Sequence, residues 1–185
     1  MFIGKNVKLS HYHDTDGEKL ANWQWNDDFL NLLTADVIHP FTAESWEKLF
    51  REGAESDENF EFTIRKVSDD QLIGFVNLSD ISIRNRTANL GIGIPNAADQ
   101  SQGFGSEALA LILDYGFNNL NLHKIKLSVF DFNTAAIKAY TRVGFQKEGV
   151  SKQESFYNGH WVDLHHYAIF QDDWFEAHSN DETND

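Results

Sequence analysis

Three alternating segments follow one another between residues 60 and 94, and only short turns separate them. They read FEFTIRKV, LIGFVNLSDISI and TANLGIGI, with SDDQ and RNR between them. Alternation of apolar and polar residues is the period of a β-strand, and turns this short join antiparallel neighbours. The sequence therefore predicts an antiparallel meander of three strands in the middle of the chain.

Helical and extended patterns flank this meander on both sides. Before it, NVKLSHY predicts a strand, residues 14–33 predict helix in one or two pieces, and Thr42 begins a further capped helix. After it, residues 109–120 carry apolar residues at helical spacing, KIKLSVF predicts a strand, and NTAAIKAYTRVGF predicts a helix. Asn158-Gly159 indicates a hairpin between two final strands. The chain is of the mixed α/β class.

Composition limits the domain count and the partners. With 185 residues, 41% of them hydrophobic, the chain can bury one sizeable core. We expect a single domain over residues 1–177 and a disordered polar tail over 178–185. A net charge of −14 excludes nucleic acid as an expected partner and attracts cations such as amines. No apolar stretch approaches membrane-spanning length, and the absence of cysteine fits a cytoplasmic protein.

The stretch DQSQGFGSEAL, Asp99 to Leu109, places two glycines just before a predicted helix. A P-loop would need Lys-Ser/Thr after the second glycine, and it is missing. The match to the dinucleotide fingerprint G-x-G-x-x-A is formal, because Pro95 to Gln102 separate the strand from the helix. The third pattern, Gln/Arg-x-x-Gly-x-Gly/Ala, is met by Gln100, Gly103 and Gly105. Amide groups of such a loop attract a pyrophosphate, although a glycine turn without a ligand is the alternative.

The strand before this loop favours an extended ligand. In NLGIGIP, Leu90, Ile92 and Ile94 point one way, whereas Gly91 and Gly93 point the other way and leave a bare face. Coenzyme A has a matching shape, because its pantetheine arm carries two amides and ends in a pyrophosphate. The pattern therefore favours coenzyme A as the ligand.

From about residue 7 to residue 175 the sequence resembles the GNAT superfamily of N-acetyltransferases. The stretch from GIGIPNAADQSQGFGSEAL to YTRVGFQKEGV is similar to the branch of the ribosomal-protein N-terminal and spermidine acetyltransferases. Asn133, Ala136, Tyr140 and Gly144-Phe145 match that branch in spacing, and SFYNGHWVDLHHYAIFQDDWF resembles the spermidine enzymes. The resemblance implies a GNAT fold: a mixed, mostly antiparallel, twisted sheet of about seven strands with helices on both faces.

The resemblance also implies that acetyl-CoA is the co-substrate. The residues expected to bind it are Gly91, Ile92, Gly93, Ile94, Gln100, Ser101, Gln102, Gly103, Phe104, Gly105, Ser106, Asn133, Ala136 and Tyr140. Gln102 departs from the family, which often has Lys or Arg before the first glycine, so one charge-assisted contact is lost.

Acetyl transfer to an amine needs a proton acceptor, a group that polarises the thioester carbonyl and a proton donor for the thiolate. The resemblance implies direct attack in a ternary complex, with Tyr140 as the donor and Asn133 on the coenzyme arm. Tyr140 as a core residue and Asn133 as a helix N-cap are the structural alternatives. A backbone N–H near Ile92 is expected to polarise the carbonyl. Asp80 is the candidate base, with Asp163 and Glu154 as lesser alternatives and a solvated turn as its structural alternative.

The remaining candidate groups point to no further cofactor. The eight histidines include His11-x-His13, expected on one strand face, and His165-His166, expected on opposite faces, and nothing in the spacing predicts a metal site. Trp23, Trp25 and Phe29 are expected in the core or on the wall of an acceptor pocket.

Three functions stay open at this stage. The acceptor is a primary amine, either a protein N-terminal α-amine or a small polyamine such as spermidine. The rival from another class is a coenzyme A-binding sensor without catalysis. The family branch also suggests a homodimer.

Overall fold

Seven strands form one open sheet in the computed structural model, which describes residues 1–35 and 37–179. The strands are β1 Val7–Ser10, β2 Phe60–Lys66, β3 Leu72–Ser82, β4 Thr87–Gly93, β5 Lys124–Phe130, β6 Gln146–Tyr157 and β7 His160–Phe170. Their order across the sheet is β1-β2-β3-β4-β5-β7-β6, and β4 with β5 is the one parallel pair among them. The predicted meander and the mixed, mostly antiparallel sheet are confirmed.

Six α-helices accompany the sheet within the described residues. They are α1 Asp16–Trp23, α2 Asp27–Leu33, α3 Ala43–Ala54, α4 Phe104–Asp114, α5 Thr134–Arg142 and α6 Gln171–His178. The Thr42 hydroxyl caps α3 by accepting from the Ser45 N–H, as its sequence predicted. Across the part of the chain that the structure describes, no helix has the length and apolar character to cross a membrane.

Two segments differ from the sequence predictions. The helical pattern of residues 109–120 is α-helical only to Asp114 and continues as a π-helical turn, Tyr115–Asn119. Helix α6 was not predicted, because its eight residues bury one side chain, Trp174, which packs on Phe117. One buried residue creates no helical period. The expected tail falls mainly on residues 180–185, which lie outside the described residues.

Two apolar clusters sit on opposite faces of the sheet. On one face, α4 packs Leu109, Ile112 and Leu113 against the inward side chains of the central strands, such as Val76 and Leu78. On the other face, α1 and α3 bring Leu20, Trp23, Trp46 and Phe50 together over Leu72. Burying both faces of β2 to β4 fixes these strands in the middle of the molecule.

Strands β4 and β5 run side by side for three residue pairs and then separate. The last pair is Asn89 with Lys126. Beyond it, β4 stays bonded to β3 as far as Gly93, and β5 stays bonded to β7 as far as Phe130. The facing edges of β4 and β5 therefore have no strand partner past this point, and a wedge-shaped gap opens between them.

Helix α4 is tied to β1 by one carboxylate. Glu107 accepts hydrogen bonds from the Asn6 backbone N–H at 2.7 Å, the Asn6 side-chain amide at 2.9 Å and the Val7 N–H at 3.3 Å. Burial alone would raise the pKa of Glu107, and the hydrogen bonds from Asn6 and Val7 outweigh it, so the net pKa is lowered. This contact fixes the first turn of α4 relative to the sheet edge.

We predict that Glu107→Ala lowers the free energy of unfolding by about 1–2 kcal/mol at pH 7, because two backbone N–H groups lose their acceptor. Urea unfolding at pH 7 measures this difference, with Glu107→Gln as a control that keeps the shape and loses the charge. A lowered folded-state pKa stabilises the protein above the unfolded pKa of about 4.3, so the difference should shrink as the pH falls below that value. A difference that stays constant down to pH 3 would contradict this assignment.

Candidate active site

The loop between β4 and α4 exposes backbone donors. It contains a 3-10 turn, Ala97–Asp99, and two residues with positive φ, Ser101 at 59° and Gly103 at 87°. Gly103 is the N-cap of α4, and left-handed backbone there favours glycine. The first N–H groups of a helix have no acceptor within the helix and sit at the positive end of its dipole. The loop is thus suited to an anion, as its sequence predicted.

Polar side chains stabilise the loop between β4 and α4. Asp99 is 5% exposed and pairs with Lys66 Nζ at 2.7 Å. The Gln100 amide donates to the Ile94 carbonyl at 2.8 Å, and the Gln102 amide donates to the Ala98 carbonyl. The two glutamines were expected to contact coenzyme, and in the structure their side-chain amides bind the backbone of the loop itself.

A groove of about 720 Å³ lies between this loop, the end of β4 and helix α5. Most residues that the sequence predicted for coenzyme binding line it: Ile92, Gly93, Ile94, Gln100, Ser101, Gly103, Gly105, Ser106, Asn133, Ala136 and Tyr140. Gly91, Gln102 and Phe104 are not among its lining residues. The Phe104 ring instead packs on the apolar core, with Lys66 Nζ 5.6 Å from its centre.

The glycine face of β4 is not bare, so the interpretation that it leaves its backbone open was wrong. A Cβ on Gly93 would meet the rings of Phe29 and Phe75 at 2.9–3.0 Å. A Cβ on Gly91 would lie 2.5 Å from Asn77 Oδ1. The glycines make room for these three side chains, and the open approach to β4 is along its unpaired edge.

Tyr140 stands on the wall of the groove with its ring in the core. It is 9% exposed, packs edge-on against Phe145 with 5.9 Å between ring centres, and lines the groove. Burial raises the pKa of Tyr140 to about 12. The phenol therefore keeps its proton at neutral pH and can donate it. Tyr140 therefore packs in the core and also lines the groove, so the two positions that the sequence left open are both occupied by this one side chain.

Asn133 also serves two purposes. Its Oδ1 accepts from the Ala136 N–H at 3.2 Å, which makes it the N-cap of α5, and it lines the groove. The cap fixes the start of α5, and Tyr140 lies two turns further along the same helix. The predicted capping role is confirmed.

Asp80 does not line the groove. It sits in the β-bulge between Ser79 and Ser82, is exposed, and accepts from the Asn89 amide at 2.7 Å. Asn89 belongs to the stretch of β4 that is still paired with β5. The geometry gives no support to Asp80 as the proton acceptor.

A different carboxylate lies on the same face of the sheet. Glu61 on β2 is paired in register with Asn77 on β3, and Asn77 with Gly91 on β4. The Asn77 Nδ2 donates to Glu61 Oε1 at 3.0 Å. Burial raises the pKa of Glu61, and the hydrogen bond from Asn77 partly offsets it. Glu61 was not predicted from the sequence, because only the register of β2, β3 and β4 places it beside Asn77 and Gly91.

The groove has further walls that the sequence did not indicate. Helix α2 contributes Asn26, Asp28, Phe29, Leu32 and Leu33, and α5 contributes the cations Lys138 and Arg142. The Asn26 amide donates to the Pro95 carbonyl at 3.1 Å and so ties α2 to the end of β4. Lys138 and Arg142 lie four residues apart on one helix face, a spacing that could have indicated a phosphate contact.

A second cavity of about 280 Å³ adjoins the groove. Phe29 and Leu33 of α2 line both of them, and Trp23, Trp46 and Phe75 form the aromatic floor of the smaller one. The predicted pocket-wall role is met by Trp23 and Phe29, whereas Trp25 is 78% exposed and lines neither.

The histidines form no metal centre in the described part of the chain, where no group of three or more His, Cys, Asp or Glu side chains could hold an ion. His11 and His13 lie after β1 rather than within it, with ring centres 4.8 Å apart. His165 and His166 are consecutive on β7 and point to opposite faces, as predicted.

Comparisons with known proteins agree with this geometry. Residues 6–146 match the family model described as "Acetyltransferase (GNAT) domain". The chain is 34% identical over 182 residues to the probable N-acetyltransferase YjcK of Bacillus subtilis, covering 94% of this chain and 98% of that protein.

Solved structures give the same result. The spermidine N-acetyltransferase from Vibrio cholerae in complex with CoA and spermine aligns with TM-score 0.81 and 28% identity, over 91% of this chain and 98% of that one. The ribosomal-protein-S5-alanine acetyltransferase from Vibrio fischeri aligns with TM-score 0.79 and 24% identity, over 94% and 97%, which supports the fold.

The two loop glycines make a matched pair of predictions. A Cβ on Gly103 would meet nothing within 4 Å, yet its φ of 87° strains any L-residue, so we expect Gly103→Ala to destabilise by about 1–2 kcal/mol. Gly105 lies inside α4, where a Cβ would meet only Ile94 at an ordinary 3.6 Å. Gly105→Ala should therefore stabilise the protein by about 0.5–1 kcal/mol.

Thermal unfolding of both variants measures the two effects. Gly105→Ala should nevertheless weaken acetyl-CoA binding, because the added methyl group would occupy space in the groove that Gly105 lines. Calorimetry measures this change in affinity. If both variants shifted Tm in the same direction, the assignment of a strained left-handed backbone to Gly103 and an ordinary helical backbone to Gly105 would be overturned.

Proposed function

The chain belongs to the GNAT family of acetyltransferases and carries out acetyl-CoA-dependent N-acetylation of an amine, and we propose that its acceptor is a small cationic primary amine. The observation that supports this proposal is the groove beside the unpaired edge of β4, with the N-terminus of α4 at one end and Tyr140 on its wall. The rest of the proposal assigns parts of the reaction to residues around this groove.

In this proposal the coenzyme lies along the unpaired edge of β4. Its pyrophosphate is held by backbone N–H groups of the loop from Ser101 to Ser106, where the helix dipole favours negative charge. Lys138 and Arg142, the two cations on the groove wall, compensate for Gln102 at the position where the family often has Lys or Arg. The unpaired backbone groups of β4 bind the amides of the pantetheine arm, as a neighbouring strand would.

The reacting groups would meet where the strands separate. A backbone N–H near Ile92 polarises the thioester carbonyl, and the Tyr140 phenol donates a proton to the sulfur that leaves. Asn133 orients the arm from the start of α5. Because burial raises the pKa of Tyr140 to about 12, the phenol stays protonated and available as a donor throughout the physiological pH range.

The acceptor is proposed from charge and from the relatives. With 29 acidic and 15 basic residues the surface attracts cations, and the Vibrio cholerae structure that aligns over 91% of this chain is a spermidine N-acetyltransferase. Spermidine is therefore the first acceptor to test. We further propose a cytoplasmic location, which the absence of cysteine supports, and a homo-oligomer, since a relative from Vibrio cholerae is described as dodecameric.

The test of function is thiol release from acetyl-CoA with a panel of three acceptors: spermidine, propylamine and an alanine-terminated peptide. We expect spermidine to give the largest kcat/KM. Preference for the peptide would reject the polyamine proposal in favour of a protein N-terminus. Acetyl-CoA binding with no thiol release on any amine would support the non-catalytic sensor instead.

Tyr140→Phe removes the proposed proton donor and leaves the ring packing on Phe145 intact. We expect kcat to fall by about 10²–10⁴-fold, the range for a general acid, while calorimetry shows little change in acetyl-CoA affinity. Phe145→Leu, which perturbs the same packing without removing a hydroxyl, is the control. Equal losses in both variants would mean that Tyr140 is structural.

A further inference from the structure

The two faces of the sheet differ in chemistry at the point where β4 and β5 separate. Tyr140 belongs to the α4 side, since it clusters with Leu109 and Ile92. Asn89 and Lys126 are paired, so residues two further along, Gly91 and Ser128, flank the gap on the opposite face. That opposite face carries polar side chains on both sides of the gap.

On the β5 side, three side chains form a chain of hydrogen bonds. Ser128 Oγ lies 2.9 Å from His166 Nδ1, and Ser151 Oγ lies 2.8 Å from His166 Nε2. Ser128 is exposed and His166 is half-buried, so the chain leads from the surface beside the gap to the edge strand β6. A neutral imidazole has one N–H and one lone pair, so one serine donates to the ring and the other accepts from it.

On the β3 side, an amide oxygen faces the gap. Glu61 accepts from Asn77 Nδ2, which fixes the amide with its Oδ1 over Gly91. A carbonyl oxygen in this position can accept an N–H of an amine but cannot take its proton. The serine–histidine chain on the opposite side of the gap offers a proton acceptor.

We propose that the acceptor amine binds on the face of the sheet opposite to Tyr140, oriented by Asn77 Oδ1, and gives its proton through Ser128 to His166. This inference rests on the proposed function. An N–H bond of the ammonium breaks as an O–H bond forms on Ser128 Oγ. The original hydroxyl proton of Ser128 moves to His166 Nδ1, while Nε2–H donates to Ser151. The neutral amine then attacks the carbonyl carbon, and the C–S bond breaks with its electron pair on the sulfur, which takes a proton from Tyr140. The nitrogen releases its second proton to solvent water, and a proton from solvent restores the Tyr140 phenol.

Two carboxylates on this face are less suitable acceptors. Glu61 lies two strands from the gap, with Asn77 between its carboxylate and Gly91. Asp80 is bonded to Asn89, beside strands that are still paired. The other charged groups on this face of β5 and at the start of β6 are Lys126 and the Lys124–Glu148 ion pair, and none of them is bonded to the serine–histidine chain.

The experiment compares His166→Asn with its neighbour His165→Asn, whose side chain points to the other face. The readout is kcat/KM from pH 7 to pH 10 with the fastest amine of the panel. We expect His166→Asn to lose about 10²-fold at pH 7 and to approach the wild type at high pH, where the amine is already neutral. Ser128→Ala should show the same profile, and His165→Asn should not change it.

The outcomes separate this inference from the proposed function. Thiol release by the wild type with a His166→Asn loss that is the same at every pH would overturn the relay, because a structural defect is not rescued by a neutral amine. Unchanged kinetics in both His166→Asn and Ser128→Ala would overturn it as well. Absence of thiol release by the wild type would instead contradict the proposed function. Asn77→Ala adds an independent check, with an expected rise in KM for the amine and little change in kcat.

Discussion

The parallel pairing of β4 with β5 ends after Asn89 and Lys126, and the rest of the site depends on that interruption. Each of the two strands stays bonded on its other edge, so the sheet survives while a backbone edge is left without a partner. Unsatisfied backbone groups are costly when buried, and a ligand with amides of its own can satisfy them. Helix α4 packs on one face of the sheet, and α1 and α3 pack on the other.

Local chemistry was readable from the sequence, whereas cross-strand chemistry was not. The N-caps Thr42 and Asn133 and the hairpin at Asn158-Gly159 follow from short-range rules, and the structure has each of them. The coenzyme-binding role of the loop was inferred from spacing and from the family resemblance, and it stays a prediction. Glu61, Asn77 and His166 could not be found in this way, because strand register alone brings them beside the gap.

The glycine strand shows how a correct pattern led to a wrong inference. Alternation along β4 was predicted and is present, and the missing Cβ atoms were taken as space for a ligand. The space is filled by Phe29, Phe75 and Asn77, which come from α2 and β3. A sequence pattern tells which side of a strand is vacant, but residues distant in sequence decide what occupies it. Helix α6 was missed for a related reason, since its one buried side chain, Trp174, packs on Phe117, which is distant in sequence.

Helix α2 forms part of the wall of both cavities, through Phe29 and Leu33, and none of its seven residues is buried. A helix anchored so lightly can shift its position at little energetic cost. A molecule that displaced α2 in one cavity would also change the wall of the other. The affinities of the two cavities would then be linked, and thermodynamic reciprocity would require that each ligand alter the binding of the other by the same factor. Because α2 separates the two cavities, it would influence the order in which two ligands bind.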